Sequence, residues 1–189
     1  MHINHVFNIL NKNYYVIHSL KNITSINTLR SVYFTNFHSH LRYGSLFWGS
    51  DSQSTKVFKL QKKVVRLICN VKRMTSCREL FKTLNILPVP SVYIMEMEYY
   101  IKVNNKGLKQ NLAIHDYKTR HRSDFQTQYC RTDIFKKSVI NLETKLYNKL
   151  PDYLKNLENL KPFKKQLQAF LLQQTFYSVD EYLSHMQAP

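Results

Sequence analysis

Glycine occurs three times in 189 residues, cysteine three times and acidic residues twelve times, and each scarcity excludes something. The sequence holds no G-x-x-x-x-G-K-S/T phosphate loop and no G-x-G-x-x-G dinucleotide turn. Cys69, Cys77 and Cys130 are odd in number and widely spaced. They read as reduced thiols of an intracellular protein, nuclear or cytoplasmic, rather than as a disulfide framework. No apolar run approaches the length of a membrane span, so no membrane partner is expected. A basic-then-apolar signal pattern is also missing from the N-terminus.

The shortage of acids bears most directly on function. Polymerases and nucleases that use two metal ions gather several carboxylates around one point. Here no Asp-Asp pair occurs, and Asp180-Glu181 is explained by helix capping. Glu96 and Glu98 stand two apart on a predicted helix and therefore diverge. Metal ligation finds no better footing, because Cys69 and Cys77 lack close Cys/His pairing and His38 and His40 are two apart on a helix. The expectation is no catalytic residue, no metal and no cofactor.

What the chain has is positive charge. Lys and Arg number 28 against 12 Asp and Glu, a formal net charge of +16. Such a surplus repels itself in a compact fold unless a polyanion offsets it, so nucleic acid or an anionic membrane is implied, with nucleic acid the favoured partner. The first fifty residues carry Lys12, Lys21, Arg30 and Arg42 but no acid, and basic density rises between Lys56 and Lys82 and between Lys118 and Lys137. Basic and apolar residues are interleaved throughout, as on a folded basic surface.

Helical spacing recurs along the chain. Residues 3–21 predict a helix with Val6, Leu10 and Ile17 inward. A second spans 26–47 behind an N-cap at Ser25, with Leu29, Val32, Tyr33, Phe37, Leu41 and Leu46 toward the core. Gly44 inside this pattern marks either close packing or a bend. The helix predicted over 56–70 has two faces. Val57, Leu60, Val64 and Leu67 or Ile68 form one; Lys56, Lys59, Lys63 and Arg66 form the other, with Lys62 beside them and Lys72 and Arg73 just beyond. Cations repeat along such a stripe every ~5 Å of helix, one turn, which is comparable with the spacing of neighbouring phosphates. A solvated lysine face is the plain alternative.

Ser76-Cys77-Arg78-Glu79 reads as a capping box for a short helix, and Pro88 and Pro90 lead to another helix over 92–102. The stretch 103–133 is polar and aperiodic. Within it, His115, Tyr117, Lys118, Arg120 and Arg122 combine phosphate donors with a ring able to stack on a base; a plain polar loop is the alternative. Beyond it, Phe135, Val139, Leu142 and Leu146 resume helical spacing until Leu150-Pro151. Pro162 opens a helix with Phe163, Leu167, Phe170 and Leu171 inward, and Ser178-Val179-Asp180-Glu181 forms a second capping box.

Several of these pieces resemble, in order, the jockey-like non-LTR retrotransposon reverse transcriptases. Phe37-His38-Ser39-His40-Leu41-Arg42-Tyr43-Gly44 and Leu46-Phe47-Trp48-Gly49 are similar to the segment that follows the palm. Phe58 to Arg66 resembles the family's basic helix, and Leu80-Phe81-Lys82 with Leu84 to Pro88 its next helix and proline exit. His115-Asp116-Tyr117-Lys118-Thr119-Arg120 resembles its His-x-Tyr-x-Thr-Arg signature. Leu146 to Pro151, Phe163 to Leu167 and Phe176 to Leu183 resemble its C-terminal end. Glu143-Thr144 stands where that family often has glycine-proline, and Tyr147 where tryptophan is common.

The resemblance implies a thumb and C-terminal domain that grip template RNA or an RNA–DNA duplex, without the palm that carries the metal-binding aspartates. The sequence expectation is therefore a mainly α protein: a thumb-like helical bundle over 1–103, an extended polar linker over 104–133 and a smaller helical C-terminal segment over 134–189. Its expected role is nucleic-acid backbone binding. An interaction module docking onto an intact reverse transcriptase or another protein is the alternative, as is a remnant of a mobile element without function.

Overall fold

A computed structural model of the chain describes residues 2–104, 108–113, 124–127, 129, 131–132 and 139–185. The described residues are mainly α-helical, and their β pairing is confined to an isolated antiparallel bridge between Gln110 and Phe125. That bridge is held from outside. The Asn148 carboxamide accepts from the Phe125 N–H at 2.8 Å and donates to the Phe125 carbonyl at 2.7 Å, standing in for a neighbouring strand.

Helix α1 (His2–Leu20) buries Ile3, Val6, Leu10 and Ile17. The helical run predicted over 26–47 forms in pieces. After Ser25, whose hydroxyl accepts from the Thr28 N–H, α2 (Ile26–Val32) passes through a π-helical turn (Tyr33–His38) into α3 (Ser39–Arg42). The side chains that must face the core, Leu29, Tyr33, Phe37 and Leu41, are each four residues apart, and all are buried. At 3.6 residues per turn that spacing drifts steadily around a helix; the wider π turn takes up the drift. Gly44 then adopts φ 66° and bends the chain into α4 (Ser45–Trp48), so the single helix expected there is corrected to two with a break. Only glycine takes this conformation without a Cβ penalty.

Helix α5 (Ser54–Ile68) packs on α1 and, through Gln61, on the centre of the molecule. Gln61 is fully buried and satisfied: its amide donates to the Tyr33 hydroxyl and the Leu87 carbonyl and accepts from the Val89 N–H. Helix α6 (Arg78–Thr83) begins one residue later than its expected capping box requires. Cys77 is the N-cap and no side chain caps it, while Glu79 pairs with Lys82 at 3.0 Å instead.

The central element is α7 (Val89–Asn104), which starts three residues before the helix expected at 92 because Pro90 fits a first turn. It is apolar on every side, the pattern of a helix packed all round. Helices α3, α4 and α5 cover part of it; α8 (Val139–Asn148), α10 (Leu160–Gln174) and α11 (Val179–His185) cover the rest. Each of its charges is engaged. Glu96 accepts from Arg42, the fully buried Glu98 accepts from the Tyr182 hydroxyl, and Lys102 donates to the Lys155 carbonyl at the end of α9 (Asp152–Lys155). Burial pushes the Glu98 carboxyl well above the usual carboxylate range.

The expected core positions Phe163, Leu167 and Leu171 are buried, with Phe170 partly so. The second capping box forms. Ser178 Oγ accepts from the Glu181 N–H, and Glu181 reaches back to the Tyr177 N–H at 2.7 Å. Among the described residues, no helix is long and apolar enough to cross a membrane.

Candidate nucleic-acid interface

The sequence of α5 sorts its residues onto two arcs. At about 100° per residue, Val57, Leu60, Gln61, Val64, Val65 and Ile68 cluster on one side, and all are buried. The basic residues occupy the opposite arc. Lys56, Lys59 and Lys63 are exposed, and among the described residues they form no ion pair and donate no side-chain hydrogen bond. Among the described residues the ion pairs fall elsewhere, on Arg42, Arg78, Lys82 and Lys155.

Two residues assigned to the stripe are also used within the fold. Lys62 lies with its ammonium 4.6 Å from the Phe58 ring centre and 5.4 Å from that of Tyr177, joining α5 to the start of α11. Arg66 donates from Nε to the Thr75 carbonyl at 2.8 Å and fastens the turn after α5. That turn is built by Asn70, whose φ of 52° ends the helix in the left-handed conformation. The Val71 N–H then bonds back to the Arg66 carbonyl at 3.1 Å, in the pattern of a Schellman cap. The loop so formed presents Val71, Lys72, Arg73 and Met74, all exposed.

The reversal also brings parts of the chain together that sequence spacing did not connect. A cleft of about 370 Å³ between α1 and the end of α5 is lined by Tyr14, Lys21, Lys63, Arg66, Leu67, Val71 and Arg73. Four of its seven lining residues are cationic and none is acidic. Lys63, Arg66 and Arg73 were predicted; Lys21 and Tyr14 were not. Lys21 was visible as one of four basic residues in an acid-free N-terminal stretch, but nothing in its spacing tied it to α5. Lys21, Lys63 and Arg73 donate no side-chain hydrogen bond among the described residues.

The second predicted cluster, His115, Tyr117, Lys118, Arg120 and Arg122, lies outside the described residues. Among the described residues the carboxylates do not gather into one site. Glu181 pairs with Arg78 at 2.7 Å, Asp124 with Lys155 at 3.2 Å and Glu96 with Arg42. Glu143, nearly buried, has its carboxyl raised to about 7 by loss of water. Among the described residues no group of three His, Cys, Asp or Glu side chains is placed to hold a metal ion.

Fold and face together define a basic helical bundle with one cationic flank that forms no ion pair among the described residues. Compared with family models, curated proteins and solved structures, the chain matches none.

Proposed function

We propose that this chain binds the phosphate backbone of RNA or an RNA–DNA duplex along the exposed side of α5 and the loop that follows it. The reading rests on one observation: Lys56, Lys59, Lys63, Lys72 and Arg73 lie on one helix face and its adjoining loop without an acidic partner among the described residues. Cations left unpaired by the fold are those whose charge a polyanion can use. Met74, 91% exposed beside Arg73, adds an apolar surface for a sugar or base edge. Together with the ordered sequence similarities, this supports a reverse-transcriptase thumb-like module of retrotransposon origin. It holds nucleic acid and performs no catalytic step of its own. Nucleotide incorporation by the purified chain would overturn the non-catalytic part.

Backbone binding of this kind releases counterions, so affinity falls steeply with salt and depends little on sequence. Replacing Lys56, Lys59 and Lys63 together with Gln is expected to flatten the plot of log affinity against log salt by about 2–3. Fluorescence anisotropy with a labelled RNA hairpin, titrated across a salt series, measures that slope. An unchanged slope in a folded triple variant would sink the assignment.

A second reading, docking onto an intact reverse transcriptase or another protein, is favoured by Phe47, 82% exposed on α4, and Tyr43, 73% exposed at the end of α3 just before the Gly44 bend. Large exposed aromatic side chains are common anchors of protein interfaces. Sedimentation of the chain with a candidate partner, with and without Phe47→Ser, separates this reading from the first.

A further inference from the structure

We infer that the cleft between α1 and the end of α5 is a subsite for one unpaired nucleotide, so that the basic flank engages single strands or strand ends in a way it cannot engage continuous duplex. The inference rests on the backbone-binding reading above and adds to it a specific pocket. Three features carry it. The first is charge: Lys21, Lys63, Arg66 and Arg73 converge on one concavity with no acidic lining residue. Arg66 spends its Nε on the Thr75 carbonyl, which holds the guanidinium plane in place at the cleft wall, and the other three donate to nothing in the described protein. Mutual repulsion of four cations around one cleft is relieved by a bound anion, and phosphate accepts from several donors at once.

The second feature is the ring. Tyr14 lines the same cleft, braced from behind by edge contact with Tyr15 at 5.6 Å and by a tilted contact with His18 at 6.1 Å. Leu67 and Val71 complete an apolar wall. A site for inorganic phosphate alone has no use for these three side chains. A nucleotide does, because its base presents a π face while its phosphate meets the cations.

The third feature is size. At about 370 Å³ the cleft lies near the small end of ligand sites, which run from roughly 300 to 1,000 Å³. That is room for a single nucleotide. A base paired and stacked inside a duplex cannot lay its face on a ring in the wall of such a cleft, whereas an unpaired base can turn into it.

The test compares a fluorescein-labelled single-stranded oligouridine with a labelled blunt hairpin duplex closed by a non-nucleotide linker and of equal phosphate number, at matched salt. Tyr14→Leu is expected to weaken single-strand binding roughly tenfold, in the range set by one base stacked on one ring, and to leave the hairpin unchanged. Tyr14→Phe, which keeps the ring, retains wild-type affinity for both. Lys21→Gln weakens the single strand more than the hairpin, while Lys56→Gln with Lys59→Gln weakens the two alike. Circular dichroism verifies that each variant is folded, and Lys21→Gln with Tyr14→Phe carries the test if Tyr14→Leu is not. If Tyr14→Leu or Lys21→Gln shifts both ligands equally, the cleft holds no unpaired nucleotide and only the backbone reading survives. If the unaltered chain binds neither ligand in a salt-dependent way, both readings fall.

Discussion

Gly49 sits where a Cβ could not. Built in place, that atom would lie 2.1 Å from Tyr93 Cδ2 and 2.7 Å from the Ser45 carbonyl. The ring of the central helix is thereby seated directly on the end of α4. Gly49→Ala is expected to lower stability by about 1–3 kcal/mol through overpacking, read as a drop in the thermal midpoint. Gln61 is the complementary case, a polar side chain made necessary by its surroundings. Gln61→Leu would leave the Val89 N–H and the Leu87 carbonyl without their partner, at a cost on the order of 3 kcal/mol. Urea denaturation gives that value directly. Glu143 predicts a pH dependence. Loss of water raises its folded carboxyl from the ordinary 4.5 to about 7, so the folded state favours the protonated form. The associated stability is present in acid and lost as pH rises through 7. His38, held down to about 4 by burial with Arg42 adding to it, works in the opposite direction, because it takes up a proton on unfolding as pH falls through 6.5. The Glu143 contribution is therefore isolated by comparison: the melting temperature of the native chain should fall relative to that of Glu143→Gln between about pH 4.5 and 7. A difference between the two chains that stays constant over that interval would contradict this.

At the scale of elements, α5 was legible almost residue by residue, because one face of it is apolar and the other is basic at a single period. Helix α10 was legible for the same reason. The π turn was not: Leu29, Tyr33, Phe37 and Leu41 satisfy an ordinary helical pattern closely enough that their common spacing of four passes unremarked. The box at Ser76–Glu79 misled because Glu79 had a better local partner in Lys82. The cleft was half legible. Its α5 side followed from spacing, but Tyr14 and Lys21 reach it through packing of α1 on α5, a contact that no local pattern encodes. The bend that completes it depends on Asn70 at φ 52°. Asn70→Gly keeps that conformation available, whereas Asn70→Val penalises it, because a β-branched residue with positive φ is an outlier. The valine variant should lose the single-strand preference while the glycine variant retains it, as the paired anisotropy assay would report.

For the whole molecule, the organising fact is that α7 is covered from both ends of the chain. Arg78 reinforces the same arrangement, donating to the Thr175 carbonyl and to Glu181 while its guanidinium lies 4.4 Å from the Tyr177 ring centre. A chain ended after residue 138 would bare the sides of α7 that α8, α10 and α11 cover, including the neighbourhood of Glu98. Such a truncation is expected to lose its sharp unfolding transition and to bind a hydrophobic dye, both measurable in one thermal melt. The polar, aperiodic stretch 103–133 marks the expected domain boundary, and this truncation is the direct measurement of whether the two sides fold apart. Sequence periodicity finds which face of a helix is apolar, but it does not name the helix that will cover it.

The uncompensated flank of α5 has a consequence for how this protein responds to its solvent. Free in solution, its like charges oppose the compact state, so added salt screens the repulsion and stabilises the fold. If the chain binds nucleic acid as proposed, the same salt would compete with the protein for the phosphates and loosen the complex. Stability and affinity should then run in opposite directions along one axis. At low ionic strength such a ligand would act as the counterion of the flank, and binding and folding would become parts of one equilibrium.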